Sequence, residues 1–129
     1  MVSIQTELWV EQAARALALY GDAFGARVVH CAGEGDDNVA QLAVGDAMFW
    51  VAAAGSDMGR FSPKALGGGT SRTLLVVDDP DSVVKSAVEA GAVATSPVAD
   101  EHGWRIGRVV DPFGHEWEVG KPAGQWPPG

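Results

Sequence analysis

The sequence predicts an α+β protein built from two copies of a βαβββ unit, and three observations support this. The spacing of apolar residues alternates between a strand period of two and a helical period, twice along the chain. Each predicted helix ends in a similar tripeptide, Phe24-Gly25-Ala26 in the first and Ala90-Gly91-Ala92 in the second. The same order of elements is therefore predicted twice within 129 residues, a length typical of one compact unit.

The first unit is predicted to occupy residues 1–54. Ile4–Val10 alternates between an apolar face and a face that carries Gln5, Glu7 and Trp9, which is typical of a strand with one buried face. Glu11–Phe24 then follows a helical period. Turn-forming Gly, Asp and Asn residues separate the three strands that complete this unit: Arg27–Ala32, Val39–Val44 and Ala47–Ala52.

The second unit is predicted to occupy residues 71–120, after a linker of about residues 55–70 that is either a junction or a cavity lid. It begins with the strand Arg72–Val77, and Asp79-Pro80 supplies the N-cap and the first-turn proline of a helix that ends before Gly91. Its remaining strands are predicted to be Val93–Val98, Trp104–Val110 and His115–Val119. The proline-containing tail, residues 121–129, is expected to be loose.

Composition and charge limit the class of function. The chain is 47% hydrophobic, has a formal net charge of −8 and contains nine basic residues, so we expect no nucleic-acid partner. An acidic surface is compatible with a cationic ligand, although it is more often a means of solubility. Cys31 is the only cysteine and forms no intramolecular disulfide. No apolar segment is long enough for a membrane span and no secretory signal is recognised, so a cytoplasmic protein is expected.

Three segments carry a resemblance to a known family. Ala16–Tyr20 followed by Phe24-Gly25-Ala26 resembles the first-helix signature of the vicinal-oxygen-chelate superfamily, which includes glyoxalases, bleomycin-resistance proteins and extradiol dioxygenases. Val76–Asp81 resembles the start of its second module. Gly103–Gly107 and Asp111–Trp117 are similar to the Gly-x-Arg-x-Gly and Asp-Pro-Phe-Gly-His-x-Trp ending of its small bacterial members. The resemblance covers nearly the whole chain and implies paired βαβββ modules that form a curved mixed sheet around a cavity, with helices on the outer face.

The resemblance also implies four positions at which metal-dependent members bind a divalent ion. Gln5 and Glu118 fall on two of these positions and would be the ligands if a metal such as Zn²⁺ or Ni²⁺ is bound. The other two positions fall on Phe49 and Arg72. Phenylalanine does not coordinate metals, and a guanidinium group repels a cation and pairs with Glu118. We therefore expect that this chain has no metal site and no cofactor.

Strand alternation predicts which side chains point into the cavity. Trp50 and Trp117 are at the strand positions that alternate with the cavity-facing ones, and they are predicted to pack under the helices. Apolar walls with a few convergent charges are typical of small-molecule sites. The predicted ligand-binding residues are Gln5, Glu7, Trp9, Phe49, Arg72, Trp104, Arg108, Glu116 and Glu118.

Two hypotheses from different classes follow. The preferred one is a non-catalytic protein, like the bleomycin-resistance branch, that sequesters a planar or cationic natural product; the resemblance implies a homodimer whose modules jointly build the pockets. The alternative is a metal-dependent lyase or isomerase of glyoxalase type, in which Gln5 and Glu118 hold the ion. Metal-free catalysis also stays open, with Glu7, Glu116 or Glu118 as a general base beside Arg72 or Arg108.

Overall fold

Two four-stranded mixed sheets and three helices make up the computed structural model, which describes all residues from Met1 to Gly129. The elements are β1 (Glu7–Val10), α1 (Ala13–Phe24), β2 (Arg27–Ala32), β3 (Val39–Val44), β4 (Ala47–Ala53), α2 (Pro63–Leu66), β5 (Arg72–Val76), α3 (Pro80–Glu89), β6 (Val93–Glu101), β7 (Trp104–Val110) and β8 (Glu116–Pro122). The strand orders are β1-β4-β3-β2 and β5-β8-β7-β6, so the predicted pair of βαβββ units is confirmed.

Local sequence explains where the two long helices begin and end. Gly25 follows α1 in the left-handed conformation, with φ at 69°, and its backbone amide donates to the carbonyl oxygen of Gly21. Asp79 caps α3, because its side-chain oxygen accepts a hydrogen bond from the amide of Ser82 at 3.2 Å. Neither helix is long and apolar enough to cross a membrane, and the same holds for α2.

The same pairing pattern occurs in both sheets. The first strand of each unit runs parallel to the last, so β1 pairs with β4 and β5 with β8, and the other pairs are antiparallel. His102 and Gly103 form the turn between β6 and β7, both with positive φ values, which is typical of a tight hairpin turn. These pairings leave β5 at an edge of its sheet.

One hydrophobic core is shared by both units. The helices α1 and α3 pack against each other, and side chains from both sheets join them. At the centre of this core the Trp117 ring lies 5.7 Å from that of Tyr20 and 4.7 Å from that of Phe24. The second unit therefore packs against the helix of the first.

A buried carboxylate fastens the two units at this point. Asp111 accepts hydrogen bonds from the hydroxyl of Tyr20 in the first unit and, at 3.0 Å, from the indole N–H of Trp117 in the second. Its other oxygen accepts from the backbone amides of Phe113 and His115 at 2.9 and 3.1 Å. The side chain of Asp111 thus has four donors, which compensates the cost of its burial.

Each sheet has a second face, directed away from the shared core, which we call its open face. In β8, Trp117 and Val119 are buried, so Glu116 and Glu118 lie on the open face. In β1, Leu8 and Val10 are buried, so Glu7 and Trp9 lie on the open face of the other sheet. A ligand that binds against either sheet can contact only the side chains on these two open faces.

Several predicted segments differ from the structure. Strand β1 begins only at Glu7, and Ile4 is exposed rather than buried, because no backbone hydrogen bond holds residues 1–5 to the sheet. The linker contains the short helix α2. Strand β8 continues into the predicted loose tail as far as Pro122, since Trp104 and Arg105 of β7 pair with its last two residues.

Tyr20 makes the stability of this core dependent on pH. It is the only tyrosine, and burial followed by the charge of Asp111 raises its pKa well above the ordinary value. A hydroxyl with a raised pKa in the folded state stabilises the fold fully below the unfolded pKa of about 10, and this contribution is lost as pH rises. We expect the free energy of unfolding to decrease above pH 10 by up to about 1.4 kcal/mol per pH unit through this group.

Urea denaturation of the wild type and of Tyr20→Phe between pH 7 and 11 measures this effect. The Phe variant carries the same lysines and cysteine, so subtracting its pH profile isolates Tyr20. Parallel profiles of the two proteins above pH 10 would contradict the prediction.

Candidate functional site

The open face of the second sheet carries a cluster of paired charges. Glu118 of β8 accepts a hydrogen bond from Nε of Arg108 at 2.8 Å, and Nη1 of Arg72 lies 3.9 Å from the same carboxylate oxygen. Nη2 of Arg108 also donates to Glu101 at 3.1 Å. These hydrogen bonds, the one to Glu118 first, raise the pKa of Arg108. Arg108 therefore keeps its positive charge over the whole physiological pH range.

Strand register produces this cluster. Arg108 and Glu118 are direct partners in the antiparallel pair of β7 and β8, and Arg72 is the parallel partner of Glu116. Partners in a sheet project to the same face, about 5 Å apart. The structure therefore brings Arg72, Arg108 and Glu118 together on one face.

On the first sheet, Gln5 joins a separate polar group. Its side-chain oxygen accepts hydrogen bonds from the amide of Gln41 at 2.8 Å and from the indole N–H of Trp50 at 2.9 Å. His30 lies beside Trp50, with ring centroids 6.3 Å apart. No hydrogen bond or common cavity links Gln5 to Glu118.

The prediction that Phe49 faces the cavity and Trp50 the core is wrong. Phe49 is 7% exposed and packs against the rings of Tyr20 and Trp117 at 5.5 Å, whereas Trp50 lies on the open face. Burial of a phenylalanine side chain contributes roughly 1.5–3 kcal/mol and leaves no polar atom without a partner. The indole N–H of Trp50 needs an acceptor, which Gln5 supplies on the open face.

The residues at the four expected metal positions do not fit a divalent ion. Gln5 and Glu118 already engage two donor groups each, Phe49 is in the core and Arg72 carries a positive charge. No three His, Cys, Asp or Glu side chains are arranged to hold a metal ion. The donor set lacks the nitrogen ligands that Zn²⁺ and Ni²⁺ favour.

A cavity of about 260 Å³ lies between β1, the linker and the start of β8. Glu7 and Trp9 of β1 and Glu116 of β8 line it, so it brings together predicted site residues from both units. The indole N–H of Trp9 donates to Glu7 at 2.7 Å. Neither Glu7 nor Glu116 forms an ion pair, so two carboxylates without a cationic partner face one cavity.

The linker forms the remaining wall of this cavity through Phe61, Pro63, Leu66 and residues 68–71. It is held in place by Ser62, whose buried hydroxyl donates to Glu11 and also caps α2 by accepting from the amide of Ala65. Pro63 packs closely against Gly114 of the turn before β8, where a Cβ atom would approach it to 3.1 Å. The linker is therefore an ordered wall of the cavity.

His115 closes the end of the same cavity. Its ring nitrogen Nε2 lies 2.9 Å from the carbonyl oxygen of Trp9, and this contact joins the turn before β8 to β1. His115 was predicted only as the first residue of the last strand, because its partner lies 106 residues away along the chain and leaves no local signal.

Several open-face residues were missed by the sequence analysis. Glu101 belongs to the site because β6 continues past Val98, where the predicted strand ended. Trp50 was missed because β4 is apolar throughout and shows no alternation. Trp126 lies in the predicted loose tail but contacts Trp104, with ring centroids 5.2 Å apart.

Curated relatives match part of the chain. An uncharacterized protein of Mycobacterium bovis is 40% identical over 62 residues, which are 47% of this chain and 41% of that protein. Two uncharacterized proteins of Mycobacterium tuberculosis match with the same identity over 36% of their length. The chain thus spans about two fifths of the length of these relatives.

Solved structures are similar over nearly the whole chain. A gene product of Arabidopsis thaliana is 28% identical with a TM-score of 0.70, covering 92% of this chain and 98% of that one. TioX from Micromonospora sp. ML1 is 26% identical with a TM-score of 0.71, covering 96% and 98%.

Two more distant structures share the fold. A bleomycin-binding protein in complex with bleomycin is 18% identical, with a TM-score of 0.69 and coverage of 94% and 98%. The fosfomycin resistance protein FosX from Listeria monocytogenes, with Mn(II) and a dihydroxypropylphosphonic acid, is 14% identical, with a TM-score of 0.71 and coverage of 98% and 94%.

The family model that matches this sequence covers residues 3–119, which include both βαβββ units and every predicted site residue. On this match and the shared fold, the chain belongs to the glyoxalase/bleomycin resistance protein/dioxygenase superfamily.

Proposed function

We propose that this protein binds and sequesters a planar, cationic small molecule without catalysis, as an antibiotic-resistance protein of the binding type does. The observation that carries the proposal is that two carboxylates without a cationic partner, Glu7 and Glu116, face one cavity beside Trp9. A cationic group gains electrostatic energy there, and an aromatic wall favours a flat ring. The bleomycin-binding protein of the same fold gives a precedent for ligand binding in this superfamily.

The charge cluster around Glu118 supports binding over metal catalysis. A metal at this carboxylate would have to displace Arg108 and would lie close to two guanidinium groups. FosX, which shares the fold, has Mn(II) in its structure.

Binding to probes of defined charge tests the ligand class. We expect calorimetry to show binding of the planar cations proflavine and ethidium and no binding of the planar anion fluorescein. Glu116→Gln is expected to weaken cation binding about tenfold, which corresponds to about 1.4 kcal/mol, because one attractive charge is removed. Glu7→Gln should act in the same direction.

The matched control is Glu89→Gln, which removes one charge from the exposed end of α3 and leaves the cavity unchanged. Its affinity for the cations should equal that of the wild type. Equal binding of fluorescein, or no effect of Glu116→Gln on a cation that binds, would contradict the proposed ligand class.

Metal content tests the absence of a chelate site. Protein purified without chelator is expected to contain far less than one divalent ion per chain, since Glu118 is occupied by Arg108. Calorimetric titration with Zn²⁺, Ni²⁺ or Mn²⁺ should give the same result for the wild type and for Glu118→Gln, with no binding heat that depends on Glu118. About one ion per chain, lost in Glu118→Gln, would overturn the proposal in favour of a metal-dependent lyase or isomerase.

We further propose a homodimer in which the open faces of two chains complete the pockets. Leu74 and Val76 of β5 are 45% and 55% exposed. Strand β5 is an edge strand, so one side of its backbone has no partner strand. Exposed apolar side chains on an unpaired edge are typical of an interface.

Sedimentation velocity tests the dimer. The wild type is expected to have twice the chain mass of 13.4 kDa, and Leu74→Glu should shift it to the monomer because it places a charge in the interface. Met58→Glu, a substitution at an exposed linker residue outside β5, is the control and should stay dimeric. A monomeric wild type would contradict the prediction.

A further inference from the structure

His115 lines the cavity with a ring that has one nitrogen engaged and one free. The residue lies in the turn before β8 and shares the cavity with Glu7 and Glu116. Its Nε2 atom is 2.9 Å from the carbonyl oxygen of Trp9. A carbonyl oxygen only accepts hydrogen bonds, so Nε2 carries a proton in this contact whether the ring is neutral or charged.

The contact of Nε2 decides what the other ring nitrogen can do. In a neutral ring with its proton on Nε2, the Nδ1 atom of His115 has a lone pair and accepts hydrogen bonds. Nδ1 makes no hydrogen bond within the chain. Since Oδ1 of Asn38 is the only buried side-chain nitrogen or oxygen atom without a partner, Nδ1 is accessible from outside. The residue is half-buried and lines the cavity, so a bound molecule can reach this acceptor there.

The charged groups around His115 are mostly acidic. Glu7 of β1 and Glu116 of β8 face the same cavity. Asp111, in the same turn, accepts a hydrogen bond from the backbone amide of His115 at 3.1 Å. Lys64 of α2 packs against this turn but is not part of the cavity wall. No residue of the wall carries a fixed positive charge, so protonation of His115 would place a positive charge where the wall otherwise has only negative ones.

We infer that neutral His115 accepts a hydrogen bond from the ligand at Nδ1 and that the site therefore selects a cation with an N–H group. The inference rests on the proposed cation site and narrows its ligand class to protonated heterocyclic nitrogens, amines, amidines and guanidines. Such a group can donate to the ring and to the carboxylates of Glu7 and Glu116, whereas a quaternary cation has no proton to donate. Protonation of His115 removes the acceptor and adds a like charge, so the ligand is released at acidic pH.

Two matched dyes test the selectivity by fluorescence anisotropy at pH 8. Acridine orange and its derivative methylated at the ring nitrogen are both flat cations, and only the first has an N–H group. The wild type is expected to bind acridine orange about tenfold more tightly than the methylated dye. His115→Phe should lose this preference because phenylalanine has no acceptor, whereas loss of a purely structural contact with Trp9 would weaken both dyes alike. His30→Phe, on the outer strand β2 of the other sheet, should keep the preference.

The pH dependence of acridine orange binding tests the second part of the inference. Histidine side chains change charge between pH 5 and 8, while the dye stays cationic. The affinity of the wild type is expected to fall about tenfold from pH 8 to pH 5.5, because one repulsive charge is added. His115→Gln keeps an N–H group for Trp9 but does not titrate, so its affinity should stay nearly constant. His30→Gln should follow the wild type.

The outcomes separate the inference from the proposed function. If the wild type binds both dyes equally well, or if His115→Phe keeps the preference, the role of Nδ1 is overturned and the proposed cation site stands. If the wild type binds neither dye, the proposed function fails and the inference fails with it. The ¹⁵N chemical shifts of the His115 ring add a measurement without ligand: a proton on Nε2 and none on Nδ1 is expected at pH 8, and the opposite tautomer would overturn the inference.

Discussion

The structure depends on one buried carboxylate, that of Asp111. It is the only side chain that hydrogen-bonds at once to the helix of the first unit, through Tyr20, and to the last strand of the second, through Trp117. The same carboxylate accepts hydrogen bonds from the backbone amides of Phe113 and His115, and these bonds stabilise the turn before β8. Since each donor is buried or half-buried, loss of Asp111 would leave several polar groups unpaired, at about 1–3 kcal/mol each.

The orientation of β8 follows from this interaction. The hydrogen bond to Asp111 turns the indole of Trp117 into the core, and strand alternation then places Glu116 and Glu118 on the open face. Glu118 meets Arg108 there, and Glu116 reaches the cavity that Glu7 also lines. The structural centre and the candidate site are thus coupled through β8 and the turn before it, where the amide of His115 donates to Asp111 and its ring lines the cavity.

The faces of the site residues could be predicted from the sequence only in strands where polar and apolar residues alternate clearly. In β8, glutamates alternate with Trp117 and Val119, and the predicted faces are those observed. In β4 every residue is apolar, so parity had no signal, and Phe49 and Trp50 were placed on the wrong faces. What distinguishes them is tertiary: on the open face the indole N–H of Trp50 finds an acceptor in Gln5, which lies just before the neighbouring strand β1. The element order, which depends on local periods and turn residues, was predicted for both units, but the contact of Trp126 with Trp104 spans the hairpin and had no local pattern.

The same reasoning indicates why a metal site would not return to this chain by one substitution. Replacing Arg72 with histidine would add a nitrogen ligand, but Arg108 would still hold Glu118 and repel the ion. Removing Arg108 as well would free Glu118 but leave Glu101 without its partner. The position of Phe49 is in the core, so a glutamate introduced there would be a buried, unpaired charge facing Tyr20 and Trp117 rather than a ligand on the open face. At least three coordinated changes, with Trp50 rather than Phe49 as the residue to exchange, separate this site from a chelate, and the changes at Arg72 and Arg108 would lose ion pairs of the present cluster.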